Sequence, residues 1–487
     1  MSKPIYEMVI GLETHVELRT KTKIFCSCTN EFGAEPNTHV CPVCMALPGT
    51  LPVFNEQVLT YAAMAGMATN CYVHHKSRFD RKNYFYPDLP KAYQISQFYR
   101  PICEHGHLNI HTSQGEKRIG ITRIHIEEDA GKLIHDDRLG TCLDMNRCGV
   151  PLIEIVSEPD IRSAEEAVAY LRKLRAILTY TGVSDCKMNE GSMRCDVNLS
   201  IRKPGEPFGT RSEMKNLNSF QSVERAIAAE YVRQVAAVEA GETLVQETRR
   251  YDQKTGKTSS MRRKEDSADY RYFPDPDLPE VYLSDAEMAQ IKASIPALPD
   301  ERRDQYMTDF GLTAYAAEQL TDERWLAEYF ETAAPFAKSP AALANLIIGE
   351  VFAQITLRDT EHTGERDERS LPILPQNLAN LSDLLSGGRV NSSTGKKILS
   401  IMFDADCDPI AYAEAHNLFT VTDEAVLRAA ATKVLAQNPD LVASYRGGKL
   451  GVQKALMGKA MAETRGKADP ERLREMLVEG LTGTDTE

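Results

Sequence analysis

The sequence predicts an α+β protein: an antiparallel-sheet domain over residues 1–294, an all-α helical domain over 295–407 and a small helical tail domain over 408–487. Three observations carry this. Five stretches before residue 216 alternate ionic with apolar residues, the period of two that a strand places on opposite faces. The pattern turns helical and Ala-rich after Ser294-Ile-Pro-Ala-Leu-Pro299, and Asp406-Cys407-Asp408-Pro409 marks a second junction. A chain of 487 residues also exceeds one ordinary core, so two to four domains are expected.

The first strand, Met8–Leu18, sets Met8, Ile10, Leu12, Val16 and Leu18 on one face and Glu13, His15 and Glu17 on the other. Between it and the first helix stand Cys26-Ser-Cys28 and Cys41-Pro-Val-Cys44, a C-x-C and a C-x-x-C pair twelve residues apart. Two thiolate pairs joined by a loop suit tetrahedral zinc, and four cysteine ligands make the site structural rather than catalytic. The alternatives are four unrelated thiols, or His39 in place of one ligand. Helices are expected at Asn55–Ala68, Ser163–Tyr180 and Ser219–Ala240, the second opened by the capping-box spacing of Ser163 and Glu166.

Arg78–Gln94 and Tyr270–Pro279 interleave aromatic and basic residues around prolines; they read either as RNA contacts or as loops packed on a sheet edge. Cys103-Glu-His-Gly-His107 reads as a hairpin turn, not a metal site. Ile124–Asp129 ends in Glu127-Glu128-Asp129, and Leu152–Val156 encloses a lone Glu154 that needs a partner if buried. Arg194, Asp196, Asn198 and Arg202 share one strand face, as do Arg211, Glu213 and Lys215. Solvated strand faces usually carry Lys, Thr, Ser and Gln; short carboxylates, a His and paired Arg suit divalent metals and a nucleotide triphosphate.

Composition bounds the rest. Hydrophobic content of 42% and charged content of 26% are globular values. The first residues form no apolar signal core, and no eighteen-residue apolar run occurs, so a cytoplasmic protein without membrane contact is expected. A net charge of -13 argues against a generic nucleic-acid coat but leaves room for a local basic surface. Arg446–Arg474 supplies one, with eight Lys or Arg against three acidic residues, Lys454, Lys459 and Arg465 flanking an apolar stripe. Eleven cysteines, an odd number, mean reduced thiols or metal ligands. No P-loop is present: Gly256-Lys257-Thr258 has Tyr251 where the first glycine should stand. No amidase-like Ser-Ser-Lys or Cys-His nucleophile arrangement stands out. The last residues, Gly483–Glu487, are expected to be disordered.

Long motifs carry a resemblance. Val9–Leu18, Phe79–Asp88, Lys91–Gln97, Pro151–Asp160 and Lys215–Phe220 make the chain similar, over essentially its whole length, to the B subunits of the tRNA-dependent amidotransferases. The resemblance implies a glutamine-synthetase-like cradle for the first domain and an ATP-dependent step that turns Glu-tRNA(Gln) into Gln-tRNA(Gln), or Asp-tRNA(Asn) into Asn-tRNA(Asn). It implies two partner proteins, a glutaminase (amidase) A subunit that frees ammonia and a small C subunit. It also implies that Glu13, His15, Glu127, Glu128, Glu154 and Glu213 hold magnesium and the phosphates of ATP. Asp196 and Asn198 are weaker candidates from the strand faces, and strand position alone suggests Arg194 and Arg211 as phosphate clamps. Loss of activity is expected for Glu128→Ala or Glu213→Ala. Two rivals remain: a tRNA-binding scaffold without chemistry, and an amide ligase for a free amino acid.

Overall fold

The computed structural model describes residues 6–136, 138–263, 269–359, 371–421, 423–464 and 466–483. The chain forms two compact units, Met1–Pro299 and Asp300–Glu487.

In the first unit the chain runs through β1 (Glu7–Glu17), α1 (Glu56–Ala68), β2 (Tyr72–Val73), β3 (Lys76–Ser77), β4 (Asp80–Asn83) and β5 (Tyr93–Ser96). It continues as β6 (Cys103–Thr112), β7 (Gly115–Glu128), β8 (Lys132–Asp136), β9 (Gly140–Asp144), β10 (Pro151–Ser157) and α2 (Ala164–Tyr180). Then come β11 (Met193–Arg202), β12 (Ser212–Lys215), α3 (Phe220–Glu239), β13 (Glu247–Asp252), β14 (Lys257–Arg263), β15 (Phe273–Pro274), β16 (Val281–Tyr282) and α4 (Asp285–Ser294). Nine strands form one sheet in the order β14-β13-β12-β11-β1-β10-β7-β6-β2. Neighbours are antiparallel except β12 and β13, which α3 connects in parallel.

The helices explain why one sheet face is apolar. α1 packs on β6 and β7, α2 on β6, and α3 on β11. Ile10, Leu12 and Val16 of β1, Ile153 and Ile155 of β10, and Val197 and Leu199 of β11 are buried in a core with Tyr170, Leu171 and Leu174 of α2. Period two then sends the alternate residues of the same strands to the opposite face. Asn55, Ser163 and Ser219 cap α1, α2 and α3, accepting from Gln57, Glu166 and Ser222 N–H groups. The Ser163 box is half formed, because the Glu166 carboxylate accepts from the Arg162 N–H instead. A three-stranded sheet, β15-β4-β5, lies against β7.

Two local expectations change. Cys103–His107 is the start of β6, not a turn: its ladder to β7 passes over His105, which adopts φ +57°. The hairpin turn comes later, between Thr112 and Gly115. Arg211 stands just before β12 and is exposed.

The second unit is helical: α5 (Pro299–Asp309), α6 (Ala314–Thr321), α7 (Arg324–Ala333), α8 (Pro340–Leu346), α9 (Phe352–Asp359), α10 (Pro375–Ser386) and α11 (Ser392–Asp404). These are followed by α12 (Pro409–Ala415), α13 (Glu424–Gln437), α14 (Pro439–Arg446), α15 (Val452–Glu463) and α16 (Pro470–Thr482). A π-helical turn, Ile347–Val351, joins α8 to α9. Among the described residues the stretch Pro340–Arg358 is long and apolar enough to cross a membrane by length and composition. Its Leu343, Ala344, Ile347 and Val351 are buried within this unit, and its Glu350 meets Lys396 at 2.7 Å. α12 packs on α10 and α11, whereas Leu427, Val434, Leu456, Ala460, Leu473 and Leu477 of α13, α15 and α16 share a core of their own. Lys454 and Lys459 are exposed on α15; Arg465 and residues 484–487 lie outside the described residues.

Candidate active site

Directly opposed residues of antiparallel strands project to the same face, so the register of the sheet builds the site. One row crosses four strands: His125 of β7, Glu154 of β10, His15 of β1 and Arg194 of β11. A second set lies one step along, with Glu13 opposite Asp196, and Glu213 opposite both Asn198 and Thr248.

Two clusters result. Ligand atoms of His15, Glu127 and Glu154 lie within 4.8 Å of one another, and so do those of Glu13, Asp196 and Glu213. In the first, Glu154 Oε2 is 3.5 Å from His15 Nε2 and 3.5 Å from His125 Nε2. Glu127 accepts from Ser96 Oγ at 2.8 Å and Gln94 Nε2 at 3.0 Å, and lies 3.1 Å from His125 Nε2. In the second, Asn198 Nδ2 donates to Glu13 at 2.8 Å, Thr248 Oγ1 to Glu213 at 2.9 Å and Lys215 to both Glu213 and Asp196.

The electrostatics of the set are those of crowded carboxylates. Burial raises the Glu13 pKa, and repulsion from Glu154, Glu213 and Asp196 raises it further, against the lowering effect of the Asn198 bond. Burial would lower His125, yet Glu154 and Glu127 push it up to about 9. Burial and Glu154 would raise Glu127, yet Lys82 and His125 hold it below the usual carboxylate range. Burial opposes the charge of Lys82, but Glu127 and Glu154 raise its pKa. Convergent hard oxygen donors, one of them short of positive charge, fit a divalent cation such as magnesium.

The structure distributes the sequence-derived residues unequally. Glu13, His15, Glu127, Glu154 and Glu213 share this face, with Asp196 and Asn198 among them. Glu128 does not join either cluster. It follows Glu127 on β7 and so projects oppositely, where its buried carboxylate pairs with Lys91 and accepts from the Ile95 N–H at 3.0 Å. Arg194 is ion-paired with Asp129 and lines a cavity of about 480 Å³ with Glu17, Asp196 and Asn216. Arg211 lines a smaller cavity of about 250 Å³ beside Glu13 and Asn198.

His125, Lys82, Gln94 and Ser96 join the site without being singled out by the sequence. His125 has a signal, since it stands two residues before Glu127 in an alternating run. The other three come from β4 and β5, inside or just beyond the basic–aromatic segment Arg78–Gln94, and no local pattern ties that segment to the sheet face it covers.

The Sγ atoms of Cys26, Cys28, Cys41 and Cys44 also lie within 4.8 Å of one another, those of Cys41 and Cys44 at 3.9 Å. Thiolates about 2.3 Å from a tetrahedral zinc stand about 3.8 Å apart, so the cluster fits that ion. The Cys41 N–H donates to Cys44 Sγ at 3.2 Å. Fully buried Lys23 brings its ammonium to 3.8 Å from Cys44 Sγ and 2.7 Å from the His39 carbonyl. The neighbouring Cys26 thiol, as a hydrogen-bond partner, and Lys23 pull the Cys44 pKa down to about 4 against the effect of burial. His39 is not among the four clustered groups.

Comparison with known proteins places these features in a family. Residues 8–289 match the GatB/GatE catalytic domain and residues 328–481 the GatB domain. The chain is 50% identical over 479 residues to the B subunit of the aspartyl/glutamyl-tRNA(Asn/Gln) amidotransferase of Lachnospira eligens, covering 98% of this chain and 99% of that one. It is 50% identical over 478 residues to the corresponding protein of Caldicellulosiruptor saccharolyticus, and 49% over 478 residues to that of Oleidesulfovibrio alaskensis, each with 98% and 99% coverage. The chain therefore belongs to the family of aspartyl/glutamyl-tRNA(Asn/Gln) amidotransferase B subunits.

Proposed function

We propose that this chain is the ATP-dependent kinase and transamidase component of a tRNA-dependent amidotransferase. Its substrates are Glu-tRNA(Gln), Asp-tRNA(Asn) or both, and its products the corresponding Gln- and Asn-tRNAs. The observation that carries the reading is the convergence of five carboxylates and two histidines on one face of the sheet, in a chain of this family. A scaffold without chemistry has no use for such a face.

The reaction joins two anions. A side-chain carboxylate oxygen of the tRNA-linked residue attacks the γ-phosphorus of ATP, and ADP departs. Ammonia nitrogen then attacks the acyl phosphate carbon, inorganic phosphate leaves with the C–O electron pair, and the nitrogen gives up one proton, which the departing phosphate takes up, to leave the neutral amide. Glu13, Asp196 and Glu213, and His15, Glu127 and Glu154, would hold magnesium, which would supply charge neutralisation of the phosphates. Lys82 and Lys215 hold permanent positive charge beside the same carboxylates. Asn198, Thr248, Gln94 and Ser96 fix the carboxylate oxygens, which preorganises the site. In this reading Arg211, exposed beside Glu13, meets a phosphate, whereas Arg194 would first have to leave Asp129.

The wider assignments follow the same reading. The four cysteines hold a structural zinc that fixes the Cys26–Cys44 loop. The first unit is a glutamine-synthetase-like cradle, and the basic tail from residue 408 binds tRNA. The partners are a glutaminase A subunit and a small C subunit, in the cytoplasm.

A single-turnover assay tests this on the complex copurified with its partners, given ATP, magnesium, ammonium chloride and Glu-tRNA(Gln). Free ammonium bypasses the glutaminase. Gln-tRNA formation by wild type and not by Glu154→Gln is expected; equal product from both would place the chemistry in one of the partners.

A further inference from the structure

A continuous row of five aromatic rings starts beside the carboxylate clusters. Tyr84 meets Tyr270 edge to face at 5.9 Å, and Tyr270 meets Tyr272 at 5.9 Å. Tyr272 stacks on Phe98 at 4.0 Å and 10°, and Phe98 meets Tyr99 at 5.0 Å. The rings come from the residue just after β4, from the segment after β5 and from the segment before β15, so three separate stretches converge to build the row. Its inner end touches the site: Tyr84 Oη donates to Gln94 Oε1 at 3.4 Å, and Gln94 donates to Glu127 at 3.0 Å.

These rings do not serve a core. Tyr270 is 36% exposed, Phe98 39% and Tyr99 56%. Cations flank them along the row. Lys82 Nζ is 5.1 Å from the Tyr270 ring centre, the Arg123 guanidinium 5.6 Å from Phe98, and that of Arg78 5.7 Å from Tyr99. Arg123 donates to the Phe98 carbonyl at 3.2 Å and has no carboxylate partner among the described residues. In a chain of net charge -13, exposed rings interleaved with cations form a local surface suited to stacked bases and their phosphates.

We propose that this row binds the unpaired 3′ end of the tRNA, with the terminal adenine on the Tyr84–Tyr270 end and the preceding nucleotides running toward Phe98 and Tyr99. The direction follows from the chemistry. The reacting carboxylate is esterified to the terminal nucleotide and must reach the Glu127–Glu154 cluster, so the terminal base takes the innermost rings. A protein partner seated on the same row would cover the entrance through which that acyl group arrives. This inference rests on the transamidase reading, and names the surface that presents the substrate to it.

The test is a double-mutant cycle between ring and base. The copurified complex is titrated with tRNA bearing a chemically built 3′ terminus, with or without the last base. Removing the base, or substituting Tyr270→Ala, should each weaken binding roughly 5- to 100-fold. The two changes together should cost no more than one alone, and Tyr270→Phe should restore the loss. Independent, multiplying effects would overturn the proposal. So would loss of the partner proteins on purification of the Tyr270→Ala or Phe98→Ala complex, which would make the row a protein interface. Wild-type complex that binds both tRNAs with the expected difference yet forms no Gln-tRNA would refute the transamidase reading and leave this one standing.

Discussion

Glu127 and Glu128 are adjacent in a motif that treats them alike, and the structure separates them. The informative perturbation is therefore Glu128→Gln. The Glu128 side chain is 2% exposed, and its Lys91 partner 12% exposed. The substitution keeps an acceptor for the Ile95 N–H but leaves the Lys91 ammonium buried without a counter-charge. Breaking one side of a buried ion pair costs about 3–5 kcal/mol. With an unfolding entropy of about 2.1 cal/mol/K per residue, a unit spanning Met1–Pro299 shifts its Tm by roughly 1.6 °C per kcal/mol, so a fall of about 5–8 °C is expected. The assay is thermal unfolding of the purified complex alongside single-turnover amide formation with ammonium chloride. Amide formation per folded molecule should stay close to wild type at a temperature below the new transition. A variant with unchanged Tm and abolished phosphoryl transfer would refute the geometric assignment and put Glu128 among the reacting groups.

Four further outcomes are expected. Glu13→Gln should lose amide formation by about 100-fold or more, yet melt at or above wild type at pH 7–8: the folded state raises the Glu13 pKa, so its ionisation becomes increasingly unfavourable to folding as pH rises above the unfolded value. Glu230 shows the opposite sign. Burial opposes its charge, but bonds from Arg233, Gln234 and Thr258 hold its pKa down, so its stability contribution is present above the unfolded carboxylate value and is lost as pH falls through the folded one; the Tm gap between wild type and Glu230→Gln should close on acidification. Metal analysis should find one zinc per chain, with Cys44→Ser losing it and a strong chelator lowering the Tm of wild type. Lys454→Glu with Lys459→Glu should weaken tRNA binding and reduce its salt dependence by about two counterions, leaving the Tm unchanged.

Strand periodicity makes most of the carboxylate face legible. Once Ile10, Leu12 and Val16 are assigned to the core, Glu13 and His15 can only face the other way, and the same holds for Asp196 and Asn198 against Val197 and Leu199. Helix starts are legible because Asn55, Ser163 and Ser219 have side chains that satisfy N–H groups locally. What stays hidden depends on contacts distant in sequence. Lys82 and Gln94 look like members of a basic–aromatic loop until β5, paired with β4, packs on β7. Glu128 looks equivalent to Glu127 because a shared motif outweighs the alternation that separates them. His105 disguises the start of β6 as a turn because an Asn-like positive φ inside a strand has no distinct sequence signature.

Building reactive groups on one side of interior strands restricts how the gene can change length. Deleting one codon within Glu7–Glu17 would rotate every residue beyond it by half a turn, driving Glu13 and His15 into the helices' side and Leu12 or Val16 into the reaction space. Point substitutions can tune such a strand, but an indel inverts it. The sheet can take up an offset only where the ladder is already irregular, as between Val156 and Ser157, beyond Glu154 and at the far end of β10 from Glu127's partner Leu152. Variation in length among functional versions of this chain should therefore collect in connections such as 203–210 and 113–114, leaving β1, β10 and β11 fixed residue for residue.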